Sequence, residues 1–372
     1  MRTDKKKRRD ADRKIYIIFA AALAAMFIIS LCFRTAEPGF IPAQAAANLW
    51  SALKIGLAEL FNRPLALDKF DIIEKHEFYY ESVSRLKESL VTCIAGMAVC
   101  AGGAAFQTMF RNPLASPNIL GISTGVNLGT AMFIMLFPTT AMGMLTRRYI
   151  YCYACAAVMV GITILSGRLA GRRLGRFSVQ DMLVVGAIVS QFGNVLAMYF
   201  QFKIEEADST LLTSYQELSM GIYVMTDLKS ILIFLISMAA SILPLYMLRY
   251  RMNASVLDDP EARSMGVRPD MLRTAGMVCG AVMSVTALVE CGDMGIMSMA
   301  VPPVVRYLMK GADFRKVLYI SMCVGGTIML FARSVCSMIY VAGMALPINF
   351  AVSLIVLPLF VAALSKTRSV YA

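Results

Sequence analysis

The chain has 372 residues, of which 58% are apolar and only 16% are Asp, Glu, Lys or Arg. A soluble domain carries about 25% charged residues, so this composition excludes a soluble enzyme and a disordered chain. The net charge of +12 does not indicate a nucleic-acid partner, because a chain this apolar has no broad solvated basic face. Long apolar runs also exclude an outer-membrane barrel, whose strands alternate. We predict an all-α polytopic membrane protein that spans a lipid bilayer and binds no nucleic acid.

Ten apolar segments, of which the eighth and ninth are short for a span, predict about ten transmembrane helices. In chain order they are 15–33, 89–109, 118–137, 149–167, 181–202, 228–248, 273–290, 295–308, 317–332 and 347–365. We therefore expect one transmembrane domain over 15–365, between a basic N-terminus at 1–14 and a tail at 366–372.

The charged residues divide unevenly between the two sides of this predicted bundle. With a cytoplasmic N-terminus, the inner segments have a net charge of +15 and the outer segments −3. This matches the excess of Lys and Arg found on the cytoplasmic side of membrane proteins. Both termini are accordingly predicted to be cytoplasmic.

Two connections are long enough to have structure of their own. Residues 34–88 form an extended outer loop with an amphipathic stretch at 43–61, and residues 249–273 form a cytoplasmic loop. Within the second loop, Leu257–Val267 predicts a short helix that ends at Gly266, with Asp258 or Asp259 capping its start and Pro260 in its first turn. Such a helix is too short to span the membrane, so it is either a contact for another protein or a solvated connection.

Residues suited to catalysis or to metal binding are scarce. The chain has no G-x-x-x-x-G-K-[ST] phosphate-binding loop, and its only histidine is His76. The nine cysteines lie almost entirely inside apolar runs and are odd in number, which argues against a disulfide framework. We predict no catalytic residue, no bound metal and no cofactor, and hence a protein that is not itself an enzyme.

Residues 102–129 read GGAAFQTMFRNPLASPNILGISTGVNLG. Their small residues permit close helix packing, and their prolines end one helix and begin the next. The passage closely resembles the signature of the permease subunits of iron-siderophore, heme and cobalamin ABC importers, the FecCD/BtuC-like family. The signature residues are Gln107, Arg111, Asn112, Pro113, Leu114, Gly121 and Gly125.

Further motifs of this family recur along the chain, with departures. Glu261–Val267 is similar to the family's inner-loop motif, and 292–315 resembles a later motif in which Pro303 replaces a histidine. Of the family's outer arginines, the chain keeps Arg85 and has Glu88 and Ser337 at two other positions. The resemblance covers about 15–365 and is weakest in the last third.

The resemblance implies a BtuC-like type II ABC importer permease in a bacterial cytoplasmic membrane. Its implied partners are two ATPase subunits, a second permease copy or a paralogue, and an extracytoplasmic solute-binding protein that docks at Arg85. The implied cargo is an iron-siderophore, heme or corrinoid complex. The residues implied to couple the permease to the ATPase are Asp258, Asp259, Pro260, Glu261, Ala262, Met265 and Gly266.

Polar residues inside the spans are functional candidates, because each costs free energy in hydrocarbon. Gln191 and Asn194 share one face of the fifth span, and Asn349 begins the tenth; the family lines its translocation pathway with these two spans. The alternative role for these amides is interhelical hydrogen bonding. We also hypothesise that Glu290 and Asp293 pair with Arg333, since all three are expected at similar depth.

Two other classes of function stay open. A secondary transporter or channel would need acid or histidine relays in mid-membrane, which the sequence lacks. A membrane sensor or assembly partner that kept the fold without transport is compatible with the weak match in the last third.

Overall fold

The computed structural model describes residues 2–32, 69–138, 145–174, 179–221, 228–256, 259–309, 313–341 and 344–367. These ranges hold twelve α-helices, two 3₁₀ helices and a short β-hairpin. The helices are α1 (Arg2–Ser30), α2 (Lys69–Phe110), α3 (Ile122–Leu136), α4 (Leu145–Leu174), α5 (Val179–Ala207), α6 (Ser209–Met220), α7 (Leu228–Leu248), α8 (Asp259–Ser264), α9 (Pro269–Cys291), α10 (Gly295–Leu308), α11 (Phe314–Cys336) and α12 (Ile348–Thr367). The 3₁₀ helices are Pro117–Leu120 and Arg251–Val256, and the antiparallel strands are β1 (Tyr340–Val341) and β2 (Met344–Ala345).

The predicted all-α membrane fold is confirmed. Ten of the helices coincide with the ten predicted spans, and α6 and α8 lie in the connections between them. Among the described residues, seven helices are long and apolar enough to cross a membrane, and α3 and α12 are shorter apolar helices. The remaining one, α10, has 14 residues and contains Pro302 and Pro303.

Helix α2 forms the centre of the bundle, where it packs against α9, α10 and α11. Of its apolar stretch Val83–Phe110, 83% is buried, compared with 11% for the apolar part of α1. Small residues make this central position possible because they allow helix backbones to approach closely. A Cβ on Gly96, for example, would lie 2.5 Å from the carbonyl oxygen of Gly325 in α11.

A second group of helices consists of α3, α4 and α5, which pack on one another. The short helix α6 follows α5 in a connection that the sequence places outside the membrane. Asp208 caps α6 by accepting a hydrogen bond from the backbone N–H of Thr210 at 2.8 Å, which holds the pKa of Asp208 below its usual value. Gly221, with φ of 68°, ends the helix.

The second predicted span is longer than the apolar pattern indicated. Helix α2 begins at Lys69, so residues 69–88 of the expected outer loop are helical and continue directly into the span. Apolar periodicity did not identify this part because its sequence is rich in charged residues. The amphipathic stretch at 43–61 lies outside the described residues.

Candidate functional site

The first half of the signature passage forms the turn that ends α2. Arg111 adopts a left-handed conformation with φ of 48°, and the N–H of Asn112 donates to the carbonyl of Gln107 at 3.2 Å. This bond satisfies one of the carbonyls that a helix leaves without a partner at its C-terminus. Asn112 Oδ1 then accepts from the N–H of Leu114 at 2.9 Å, across Pro113. The R-N-P-L motif is thus a helix stop followed by an Asx turn.

The second half of the passage is held by the connection between α9 and α10. Asp293 in that connection accepts hydrogen bonds from Asn118 Nδ2 at 3.0 Å and from Ser123 Oγ at 2.6 Å. It also accepts from the N–H of Gly295, the first residue of α10, at 2.9 Å. One carboxylate therefore positions the signature and the start of α10 relative to each other.

Gln107 completes the hydrogen bonding of α10. Its Nε2 donates to the carbonyls of Ser298 and Met299 at 3.3 and 3.0 Å. These are the carbonyls four residues before Pro302 and Pro303, and proline has no N–H with which to satisfy them. The buried signature glutamine thus supplies, from α2, the donors that the two prolines cannot.

The glycines of the signature bring neighbouring backbones into contact. Gly121 has φ of 82° and joins the 3₁₀ helix Pro117–Leu120 to α3. A Cβ on Gly125 would lie 2.5 Å from the Cα of Ala156 in α4. Contacts this close exclude any side chain at Gly125 and set the separation of α3 and α4.

The short helix predicted in the loop 249–273 is present as α8, which follows the 3₁₀ helix Arg251–Val256. Gly266 ends it as predicted, with φ of 75° and its N–H donating to the carbonyl of Arg263 at 3.0 Å. Asp258, one of the two predicted capping residues, lies outside the described residues. Glu261 in α8 is exposed and Met265, directly after α8, is 64% exposed, so this segment offers both a carboxylate and an apolar side chain to solvent.

The predicted pathway residues lie on two helices that pack in different parts of the chain. Gln191 and Asn194 are exposed on α5, and Asn194 Oδ1 accepts from Thr124 Oγ1 at 3.1 Å. Asn349 is half-buried in the first turn of α12. Helix α5 packs against α3, α4 and α6, whereas α12 packs against α10 and α11.

Charged residues near the middle of α2, at the start of its apolar stretch Val83–Phe110, lie against α11. Glu88 forms an ion pair with Arg333 at 3.1 Å, and both side chains are mostly buried. Arg85 is only 7% exposed and, with four serines, lines a small cavity beside this pair. The serines are Ser30, Ser89, Ser334 and Ser337. The glutamate that replaces a family arginine therefore pairs with an arginine of the same chain.

The structure adds Glu88 as a partner of Arg333, which the hypothesis that Glu290 and Asp293 pair with Arg333 did not include. Asp293 accepts from Asn118 and Ser123, as described above, and Glu290 accepts from the hydroxyl of Tyr149 in α4. The pairing of these two carboxylates with Arg333 stays a prediction.

Sequence reasoning missed Arg148, which is 1% exposed. It donates to Thr130 Oγ1 in α3 at 3.3 Å and to the carbonyl of Leu218 in the last turn of α6 at 3.0 Å. A cation is favourable at a helix C-terminus, where unpaired carbonyls concentrate negative charge. In the sequence, Arg148 directly precedes the apolar segment 149–167. An arginine in that position is also typical of a solvated span boundary, so the sequence did not identify Arg148 as buried.

Within the part of the chain that the structure describes, no group of three His, Cys, Asp or Glu side chains is placed to hold a metal ion. The nine cysteines are all unpaired thiols. The contacts described above pack helices against one another or end them.

Comparison with known proteins agrees with this architecture. Residues 46–366 match the FecCD transport family. The chain is 30% identical over 288 residues to a Helicobacter pylori protein named as a probable iron chelatin transport system permease protein, covering 77% of this chain and 82% of that one. It is 25% identical to the hemin transport system permease protein of Yersinia pestis over 76% of this chain and 82% of that protein.

A solved structure shares the fold. It is a metal-chelate type ABC transporter in an inward-facing conformation, with a TM-score of 0.71 and 22% identity, covering 95% of this chain and 99% of the other. The signature passage, the bundle and the family match all agree, and the chain belongs to the FecCD transport family of ABC importer permeases.

Proposed function

We propose that this chain is the transmembrane subunit of an ABC importer for an iron-siderophore, heme or corrinoid complex, driven by two separate ATPase subunits. The observation that carries the proposal is α8, a six-residue helix between the spans α7 and α9, in which Glu261, Arg263 and Ser264 are exposed. A helix this short cannot cross a membrane, and the exposed Met265 directly after it favours contact with a partner.

The coupling role rests on the composition of this loop. Met265 would insert into a cleft of the ATPase subunit, while Asp258, Asp259 and Glu261 would contact its rim. Pro260 and Gly266 set the start and end of the helix between them. Movement of the ATPase subunits would then be transmitted through α8 to the spans on either side.

The proposed pathway requires two permease chains. Both α5 and α12 carry exposed apolar side chains, for example Phe192 and Leu354. Each helix therefore has a face that no other described element of the chain packs against. Because α5 and α12 pack in different parts of the chain, Gln191, Asn194 and Asn349 would line one cavity only between paired copies. The second copy would be the same chain or a paralogue.

On the outer side, an extracytoplasmic solute-binding protein would deliver the cargo. Arg85 is the residue proposed to contact it, but its low exposure means that neighbouring residues would provide most of the docking surface in this conformation. Two relatives support the iron-siderophore and heme alternatives, because one is named for an iron chelatin and another for hemin. The corrinoid alternative rests on the family resemblance.

Co-purification with the cognate ATPase subunit is the decisive experiment, followed by uptake of a ferric hydroxamate, hemin and cobalamin into proteoliposomes. Met265→Arg is expected to lose the ATPase subunit. Met338→Arg changes a comparably exposed methionine beyond the far end of α11 and is expected to retain it. If the unaltered chain fails to retain the ATPase subunit while α8 is intact, the importer proposal is wrong.

A further inference from the structure

Asn253 joins the cytoplasmic loop to the start of α11, although the two are about 60 residues apart in the chain. Its Oδ1 accepts a hydrogen bond from the N–H of Phe314 at 2.8 Å. Its Nδ2 donates to Asp313 Oδ1. The oxygen and the nitrogen of the Asn253 amide therefore bond to two adjacent residues, Phe314 and Asp313.

The first contact is a helix cap supplied from another element. The first N–H groups of a helix have no partner within it, and a cap residue usually satisfies one with its own side chain. Asp313 precedes α11 but makes no such bond, and its side chain instead accepts from Asn253. Asn253 thus takes over the capping function and is held in place by the residue that it replaces.

Neighbouring contacts hold the start of the 3₁₀ helix Arg251–Val256. Met252 is completely buried, and Tyr250, just before this helix, accepts a hydrogen bond from Arg315 Nη1 at 3.4 Å. That bond, with the nearby Arg249, lowers the pKa of Tyr250. The segment leading into α8 is therefore attached to α11 through both Tyr250 and Asn253.

Helix α11 is also attached to α2 near its C-terminal end. Its 23 residues span about 34 Å, packed against α2, and Arg333 near its end pairs with Glu88 of α2. Asn253 is thus the first contact in a continuous series that runs from the segment before α8, along α11, to the middle of the central helix α2.

We propose that Asn253 is a positioning residue that makes α11 follow the movement of α8 when the ATPase subunits act. This role rests on the proposed function. Without the amide contact, α8 would still reach its partner, but only the contact of Tyr250 with Arg315 would transmit its movement to α11.

Three variants distinguish this positioning role from a purely structural role of the Asn253 side chain. Asn253→Asp places two carboxylates against each other. Asp313→Asn is the matched control, because an amide oxygen at position 313 still accepts from Asn253 Nδ2. The double variant exchanges the two groups, so that the new amide donates to the new carboxylate and the cap on Phe314 is kept.

The first readout needs only the permease chain in lipid nanodiscs. Hydrogen exchange of the peptides covering 251–266 should be about fivefold faster in Asn253→Asp, because repulsion between two carboxylates replaces the hydrogen bond from Nδ2 to Asp313. It should return to the original rate in the double variant and stay there in Asp313→Asn. Unchanged exchange in Asn253→Asp would show that the contact does not hold the segment and would overturn the proposal.

The second readout uses the complex with its ATPase subunits in proteoliposomes, with a ferric hydroxamate and hemin as probes. Uptake per ATP hydrolysed should fall about tenfold in Asn253→Asp, with the amount of bound ATPase subunit unchanged, and should recover in the double variant. Wild-type coupling in Asn253→Asp, or no recovery in a normally assembled double variant, would overturn the role. If the unaltered complex hydrolyses ATP without uptake of either probe, or does not assemble, the proposed function fails, and the exchange rates alone then decide whether Asn253 holds the segment.

Discussion

Gln107 supplies the hydrogen bond that Pro303 removes from α10. Its Nε2 lies 3.0 Å from the carbonyl oxygen of Met299, the group that an N–H at position 303 would otherwise satisfy. The same amide is 3.3 Å from the carbonyl of Ser298, which Pro302 leaves without a donor. A helix with two adjacent prolines is therefore stable at this position because a side chain from α2 satisfies both carbonyls.

Replacing this amide should destabilise the protein. Gln107→Leu keeps most of the side-chain volume but leaves two buried carbonyls without a donor, at a cost of about 1–3 kcal/mol for each group. We expect a lower unfolding temperature in detergent, measured with a thiol-reactive dye that reports exposure of the buried cysteines.

The matched test restores the donor in α10 itself. Pro303→Ala returns an N–H that bonds to the carbonyl of Met299, so Gln107→Leu should cost less in that background than in the original chain. Equal losses in the two backgrounds would contradict the assignment of Gln107 to these carbonyls.

A second prediction concerns the approach of α2 to α10. A Cβ on Gly103 would lie 1.9 Å from the carbonyl oxygen of Ser298, so Gly103→Ala must displace one of the two helices. We expect a loss of about 1–3 kcal/mol in unfolding free energy, the usual cost of overpacking. Gly161→Ala in α4 is the control, because nothing lies within 4 Å of its added Cβ. A comparable decrease in unfolding temperature for both variants would exclude the steric explanation.

Much of the fold could be predicted because it depends on local sequence. The ten apolar segments became ten helices, since apolar length is what a bilayer selects. Gly266 was identified as a helix end because a left-handed residue is needed there and glycine adopts that conformation most readily.

The contacts of the site could not be predicted in the same way. Gln107 and Met299 are 192 residues apart, and nothing in the sequence near Gln107 shows which helix its side chain reaches. Glu88 was missed as a partner of Arg333 because depth along a span says nothing about the direction in which a side chain points. The start of α2 at Lys69 was missed because charged residues hide a helix from an apolar pattern.

The ion pair between Glu88 and Arg333 gives a third prediction. Both groups are mostly buried, so removing one leaves the other poorly solvated and without this partner. Arg333→Ala should lower the unfolding free energy by about 1–3 kcal/mol in the original chain and by less in a Glu88→Gln background. A double-mutant cycle on unfolding temperature measures the difference. Additive losses would mean that the pair contributes no coupling energy.

The fourth prediction separates the two roles open to the amides of α5. Asn194 Oδ1 accepts from Thr124 Oγ1, so Thr124→Val removes that hydrogen bond without changing the exposed surface of α5. Thr124→Val also removes the contact of Thr124 Oγ1 with the carbonyl of Ser190 at 3.4 Å. If Asn194 only joins α3 and α5, Asn194→Leu should therefore lower the unfolding temperature and affect uptake no more than Thr124→Val. If it also lines the pathway, Asn194→Leu should reduce uptake of hemin or a ferric hydroxamate well below the level of Thr124→Val.

Gln191 provides the complementary measurement, because it is exposed on the same face of α5. Gln191→Leu should leave the unfolding temperature within the small range typical of surface substitutions, about 0.5 kcal/mol. A pathway role predicts that uptake nevertheless falls, since an amide that contacts passing cargo has been replaced by an alkyl group. Substitution of the exposed Leu232 in α7 by Gln controls for a general effect of changing an uncovered helix face. Full uptake in both Gln191→Leu and Asn194→Leu would place the pathway elsewhere than along this face of α5.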